Sequence, residues 1–233
     1  MTSNDTSCAE TTEISAASEA RIAAAVTRLN NVLPLKARQE QLSEPLRKLH
    51  RDILNAYVQI GRSLSRKEIF ARMEHAADAI RILAENDMIV VDDAGEPTGA
   101  YPFTMQQREH KLEVNGHLVH CMCALDALAV SPMFRMRTRI SSVCRASGQP
   151  IALAQNGYVF SDSGDYRQGF FGIAWSAASA AGCCADSLCT EMLFLKGDAV
   201  ARNWRDQDAP NREIFTLDEA VVFAARFFLP VLE

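Results

Sequence analysis

The spacing of apolar residues predicts a helical first part of the chain. Ile22, Val26 and Leu29 recur at helical intervals, and a second apolar stripe runs over residues 46–57. The preceding residues 1–17 are polar and rich in Ser, Thr and Glu, with too few apolar side chains to form a core. We therefore predict a disordered tail followed by helices that begin near residue 18.

The segment after residue 60 predicts two more helices and a hairpin. Ser65 with Glu68 three residues later has the pattern of a capping box, and residues 76–86 carry their apolar side chains on one face. Residues 88–91 and 98–103 have the composition of strands, with a Gly-containing turn between them. Helix, helix and hairpin in this order are typical of a winged helix-turn-helix.

The second half of the chain interleaves strands and helices without regular βαβ order. Strands are predicted near residues 113–116, 138–143, 151–154, 170–175 and 191–195, and helices over 121–130, 198–205 and 217–228. We therefore predict an α+β fold. A winged-helix-like helical domain is expected over residues 18–104, and a mixed or antiparallel sheet domain flanked by helices over residues 105–233.

The charge distribution argues against a nucleic-acid-binding role. The formal net charge is −5, and the second helix of the winged-helix-like unit carries Glu74, Asp78 and Glu85 against Arg72 and Arg81. Acidic side chains are repelled by backbone phosphates, so we expect no nucleic-acid partner. The polar start has no signal-peptide pattern, and no run of 18 apolar residues occurs. A cytoplasmic protein without a membrane span is expected.

The cysteines are the candidates for chemistry. Of seven, five lie in two clusters, within residues 120–126 and 182–189. Disulfides rarely persist in the cytosol, so we interpret these residues as free thiols. Cys123 is predicted near the start of a helix, which places Asp126 one turn further on the same face. The helix dipole there favours a thiolate, which binds soft metals or attacks, and the carboxyl can move a proton. A buried packing cysteine is the alternative.

A zinc site is another interpretation of the first cluster. His117, His120, Cys121 and Cys123 offer four ligands in a short segment. Structural zinc usually requires two separated ligand pairs, so the second cluster would have to complete the tetrahedron.

Several segments resemble the organomercurial lyase (alkylmercury lyase) family, and they occur in the same order. They are Cys123-Ala124-Leu125-Asp126, residues 139–144, residues 147–151, and Ser187-Leu188-Cys189 followed by Phe194 and Trp204. The resemblance extends from about Arg47 to the end of the chain. It implies an enzyme that cleaves the carbon–mercury bond of alkyl or aryl mercury compounds by protonolysis, giving a hydrocarbon and Hg(II).

The resemblance also implies residue roles. Cys123 and Cys189 would bind mercury as thiolates, Asp126 would carry the proton, and Cys144 would be structural. Mercury is soft and thiolates suit soft metals. Hg(II) would stay on both sulfurs until it passes to a small thiol or to mercuric reductase. No organic cofactor is implied.

Three further cysteines depart from the family pattern. Cys121, Cys183 and Cys184 would receive Hg(II) from the active pair, form a separate metal site, or pack in the core. A second functional hypothesis is a non-enzymatic regulator or carrier that binds soft metals through the same thiols. Asp126 favours the lyase, because a pure metal binder needs no carboxyl one turn from its ligand.

Overall fold

The computed structural model describes residues 14–178 and 184–232. Its helices are α1 (Ala16–Val32), α2 (Leu35–Gln41), α3 (Glu44–Ile60), α4 (Arg66–Phe70), α5 (Ala76–Glu85), α6 (Ala124–Phe134), α7 (Gly164–Gln168), α8 (Asp198–Asp206) and α9 (Leu217–Phe228). Its strands are β1 (Val90–Val91), β2 (Pro97–Ala100), β3 (Phe103–Thr104), β4 (His110–Val114), β5 (His117–Cys121), β6 (Arg137–Val143), β7 (Pro150–Asn156), β8 (Val159–Phe160), β9 (Gly169–Ala174), β10 (Met192–Lys196) and β11 (Arg212–Thr216).

The described strands form two antiparallel sheets. One has eight strands in the order β1-β2-β3-β5-β4-β6-β7-β8, and the other has three in the order β10-β9-β11. Strand β3 pairs with β2 on one side and with β5 on the other, so the large sheet is continuous across residue 104. Helices at the N-terminal side and antiparallel sheet after them confirm the predicted α+β fold. The division into domains at that residue stays a prediction.

The N-terminal elements follow the predicted order. Helix α1 begins at Ala16, capped by Ser15, two residues before the expected start, while residues 1–13 of the predicted tail lie outside the described part. The capping box at α4 is confirmed, because Ser65 and Glu68 exchange side-chain and backbone hydrogen bonds. Helices α4 and α5 precede the β1–β2 hairpin, but that hairpin is the edge of the large sheet. The winged-helix character stays a prediction.

Helix α6 lies at the centre of the fold. Its residues 124–133 are all buried. The helix packs against β4, β5, β6 and β7 of the large sheet and against α9 and β10. Because the helix is apolar around its whole circumference, a charged side chain within it has no route to solvent along the helix surface. Asp126 is such a side chain.

The start of α6 differs from the prediction of a helix from residue 121. Cys121 is the last residue of β5 and pairs with Phe103 and His110. The chain then turns at Met122, and Cys123 caps the helix. Cys121 therefore lies on a strand, and Cys123 is the N-cap residue directly before the first residue of α6.

The expected stop of this helix at Ser131-Pro132 is wrong, since α6 continues to Phe134. Proline has no N–H for the carbonyl of the residue four positions before it, which here is Leu128. Nε2 of Gln155 donates a hydrogen bond of 2.9 Å to that carbonyl oxygen instead. The helix therefore tolerates the proline because β7 supplies the missing donor.

Other local predictions are accurate to within a few residues. The turn at Asn115-Gly116 joins β4 to β5 with φ values of 50° and 76°, as a two-residue hairpin requires. Helix α9 has the predicted bounds. The polar segment 155–169 holds β8 and α7, and β11 had no clear sequence signal. Among the described helices, none has the length and apolar character needed to cross a membrane.

Candidate active site

Cys123 is the N-cap residue of α6, with extended backbone at φ −150° and ψ 178°. Its Sγ accepts a hydrogen bond of 3.4 Å from the backbone N–H of Asp126. Ser, Thr, Asp and Asn commonly fill this position, and their oxygen satisfies one of the free N–H groups of the first turn. A sulfur does so here, and the same turn carries the Asp126 carboxyl beside it.

Cys189 reaches this point from the other sheet. It lies in a 3₁₀ turn, Leu188–Glu191, directly before β10, and β10 packs against α6. The two sulfurs and a carboxylate oxygen of Asp126 all lie within 4.8 Å of one another. All three side chains are buried. The structure thus brings together the three residues named from the resemblance, and their chemical roles remain proposals.

Burial controls the protonation of the cluster. It raises the pKa of Cys123 to about 12, and it raises the pKa of Asp126 to about 7. Hydrogen bonding with the sulfurs of Cys123 and Cys184, together with burial, raises the pKa of Cys189 well above its usual value. The expectation that the helix N-terminus yields a thiolate at Cys123 is therefore wrong for the unliganded site, because desolvation outweighs the dipole. Burial therefore favours the thiol form of both cysteines and the protonated form of Asp126 in the unliganded site.

The buried Asp126 carboxyl has one oxygen, Oδ2, that makes no hydrogen bond among the described residues. The positive charge of Arg108 and hydrogen bonds with Cys123 partly offset the effect of burial on its pKa. A buried, under-bonded carboxyl with a pKa near neutrality is suited to both accept and deliver a proton.

A cavity of about 230 Å³ adjoins the cluster at Cys189. Its walls include Cys189, Thr190, Met122 and Arg108. Of the three residues of the cluster, Cys189 is the one that lines this cavity. The other lining residues, Glu109, His110 and Arg145, make this wall polar and of mixed charge.

Arg108 joins the two segments that carry the sulfurs. Its Nη1 donates to the carbonyl oxygen of Ala185 at 2.7 Å and to that of Met122 at 3.4 Å, and its Nη2 lies 3.2 Å from Oδ1 of Asp186. Sequence reasoning did not identify this residue. Nothing in the spacing around it indicates that its partners lie far along the chain.

A second charged group stands at the cavity wall. This group is the Glu109 carboxylate. Burial acts to raise its pKa, but hydrogen bonds from His110 and Arg145 lower the pKa to about 2. Arg145 Nη2 donates to the Glu109 carboxylate at 2.8 Å, and Nε2 of His110 lies 3.2 Å from it. The low pKa favours the ionised form of Glu109 at neutral pH, where Arg145 supplies the opposite charge.

The remaining cysteines occupy different places. Cys144 is buried outside the cluster, where its sulfur accepts a hydrogen bond of 3.3 Å from the backbone N–H of Lys196. Cys121 is buried at the end of β5, and its pKa is raised by burial and by the nearby Asp126. Cys184 lies beside Cys189, with 3.5 Å between the sulfurs. Cys183 falls outside the described residues.

The zinc interpretation is not supported. His117 Nε2 lies 3.0 Å from the carbonyl oxygen of Gln59, and His120 Nδ1 lies 2.8 Å from that of Arg108. Within residues 14–178 and 184–232, the cluster of two cysteines and Asp126 is the only close group of potential ligands. The two histidines thus contact backbone carbonyl groups, and neither belongs to that cluster.

Comparison with known proteins identifies the family. The family model described as MerB, alkylmercury lyase, matches residues 103–229, which is more than half of the chain. The chain belongs to the alkylmercury lyase family. An alkylmercury lyase from Streptomyces lividans is 30% identical over 106 residues, which are 45% of this chain and 48% of that protein. The chain thus spans about half the length of this curated relative.

The fold agrees with a solved structure. The crystal structure of the mercury-bound form of MerB2 superposes with a TM-score of 0.69 at 18% identity, covering 85% of this chain and 98% of that one. At this identity the likeness shows a common fold. The segment matched by the alkylmercury lyase model contains Cys123, Asp126 and Cys189.

Proposed function

We propose that the protein is an organomercurial lyase, which cleaves the carbon–mercury bond of alkyl or aryl mercury compounds to a hydrocarbon and Hg(II). The observation that carries the proposal is the buried cluster in which the sulfurs of Cys123 and Cys189 and a carboxylate oxygen of Asp126 lie within 4.8 Å of one another. Membership of the alkylmercury lyase family supports it.

The two thiols suit mercury as a substrate. Hg(II) and organomercury cations are soft acids, and sulfur is the side-chain ligand that binds soft metals best. One cysteine displaces the small thiol that accompanies the substrate. The second then adds to mercury and increases the electron density on the bound carbon, which makes that carbon basic enough to take a proton.

The protons balance without an external acid. The substrate R–Hg–SR′ and two protein thiols give the hydrocarbon RH, the released thiol R′SH and Hg(II) held by Cys123 and Cys189. One thiol proton goes to the departing R′S⁻. The other passes through Asp126 to the carbon, and the pKa of about 7 allows the carboxyl to exist in both protonation states during turnover.

The partners follow from this chemistry. Small thiols would deliver the substrate and accept the product, and mercuric reductase would be a further acceptor of Hg(II). The reaction needs reduced cysteines and no organic cofactor, so a cytoplasmic location suits it.

The test is hydrocarbon release. The purified protein is incubated with methylmercury or phenylmercury and excess small thiol, and methane or benzene is measured by gas chromatography. We expect steady release that is abolished in Cys123→Ser and Cys189→Ser, because an alcohol is a poor ligand for soft metals. Cys144→Ser is the matched control and should keep its activity. A protein that binds mercury through the thiols yet releases no hydrocarbon would instead be a regulator or carrier.

A further inference from the structure

A third thiol adjoins the candidate active site. The Sγ atoms of Cys184 and Cys189 lie 3.5 Å apart, and both side chains are buried. Cys189 therefore has two thiol neighbours, Cys123 within the cluster and Cys184 outside it. The chemistry of the lyase reaction uses only the first of these.

The position of Cys184 is fixed by residues from other parts of the chain. The next residue, Ala185, donates its N–H to Oη of Tyr101 at 2.9 Å, and its carbonyl oxygen accepts from Arg108 at 2.7 Å. The Asp186 carboxylate also pairs with Arg108, at 3.2 Å. Three long-range hydrogen bonds thus hold the backbone of this turn beside Cys189, and the side chains of the two cysteines can adjust around an ion that they share.

We propose that Cys184 is a receiving thiol for the Hg(II) product, which moves from the Cys123–Cys189 pair to a Cys184–Cys189 pair after the hydrocarbon has left. The inference rests on the proposed lyase function. Cys189 remains bound throughout, so the ion never leaves sulfur coordination. Since Cys189 also lines the cavity, the move takes mercury away from Asp126 while keeping it accessible to an external thiol.

The step is a ligand exchange in which no electrons are transferred. The bond between mercury and the Cys184 sulfur forms as the bond to the Cys123 sulfur breaks, and mercury stays Hg(II). The Cys184 thiol loses one proton and the Cys123 sulfur takes one up, with Asp126 available beside Cys123 as the carrier. Cys123 and Asp126 thereby return to their starting protonation states.

The first test measures ligands directly. Each variant is loaded with one equivalent of mercuric chloride, and the number of sulfur ligands is read from the mercury X-ray absorption spectrum. In Cys123→Ser we expect two protein sulfurs, from Cys184 and Cys189. The double variant Cys123→Ser/Cys184→Ser should retain only one. If Cys123→Ser already shows a single protein sulfur, the proposal is wrong.

The second test measures product handover. Radiolabelled Hg(II) is loaded on the protein, excess dithiothreitol is added, and the label that stays with the protein is followed by rapid gel filtration. Cys184→Ser and Cys184→Ala should transfer mercury roughly tenfold or more slowly, the usual scale for losing a supporting group at a metal site. The matched control Cys144→Ser should transfer at the normal rate. Unchanged or faster transfer in both Cys184 variants would refute the receiving role.

The two proposals fail in distinguishable ways. Absence of hydrocarbon from the wild-type protein would refute the lyase function, whereas the two tests above load inorganic Hg(II), need no carbon–mercury cleavage and report on Cys184 independently. Conversely, Cys184→Ser keeps Cys123, Cys189 and Asp126 and should still release hydrocarbon in a single turnover. A loss of that first turnover would place Cys184 in the cleavage step and contradict a role limited to the product.

Discussion

The backbone N–H of Asp126 donates a 3.4 Å hydrogen bond to Sγ of Cys123, so that one turn of helix fixes a thiol and a carboxyl against each other. The bond serves as the N-cap of α6 and also sets the distance between the proposed mercury ligand and the proposed proton carrier. Local helix geometry is enough to build this half of the site. Tertiary packing is needed only for Cys189, which arrives on the turn before β10.

Replacing the carboxyl should separate binding from cleavage. We expect Asp126→Asn, which keeps the shape of the side chain, to bind Hg(II) within a few-fold of the wild-type affinity because both sulfurs remain. Hydrocarbon release should slow by roughly 10²- to 10⁴-fold, the usual contribution of a positioned acid or base. Single-turnover gas chromatography and a competitive thiol titration measure the two quantities. Release at the wild-type rate would show that Asp126 does not carry the proton.

The pH dependence of activity should report the same carboxyl. The ionised form accepts the thiol proton when mercury binds, so kcat/KM should rise with pH through about 7, the pKa to which burial raises Asp126. Residual activity of Asp126→Asn should lack this inflection. The pH profile is measured with methylmercury, and the amount of added thiol is adjusted so that its thiolate concentration is the same at every pH. An inflection that persists in the variant would assign it to another group.

The carboxyl should also cost stability at neutral pH. The pKa of Asp126 rises from 3.8 to about 7 on folding, so the folded state binds the proton more tightly than the unfolded state. This protonation stabilises the folded protein fully below pH 3.8, and the stabilisation is lost as the pH rises through 7. Asp126→Asn should therefore be more stable than wild type at pH 8 by a few kcal/mol, at about 1.4 kcal/mol per unit of pKa change. The difference should shrink towards pH 4. Urea denaturation at both pH values measures it, and a pH-independent difference would contradict the assignment.

The sequence was informative wherever a structural signal is local. The Ser65 capping box, the Asn115-Gly116 turn and the bounds of α9 depend on residues a few positions apart, and all are found as predicted. The pairing of Cys123 with Asp126 belongs to the same class. The position of Cys189 next to them was predicted from the family resemblance. Sequence spacing could not predict it, because Cys189 precedes a strand of the other sheet.

Long-range packing explains what was missed. The thiolate expected at Cys123 depended on the helix dipole, but the degree of burial that opposes it is visible only in the folded chain. Arg108 acts through partners such as Ala185, far away in sequence. The helix stop expected at Pro132 failed because its missing donor is replaced by Gln155 from β7. In each case a distant residue changed the outcome of a local rule.

This replacement of a donor can be tested by a double-mutant cycle. Gln155→Leu should destabilise the protein by roughly 1–3 kcal/mol, because the buried Leu128 carbonyl loses its partner. Pro132→Ala restores a backbone N–H that can reach the same carbonyl. It should therefore recover part of the lost free energy of unfolding in the Gln155→Leu background and stabilise the wild-type protein by a smaller amount. Urea denaturation of the four proteins gives the coupling energy. Purely additive effects would show that Gln155 does not compensate for Pro132.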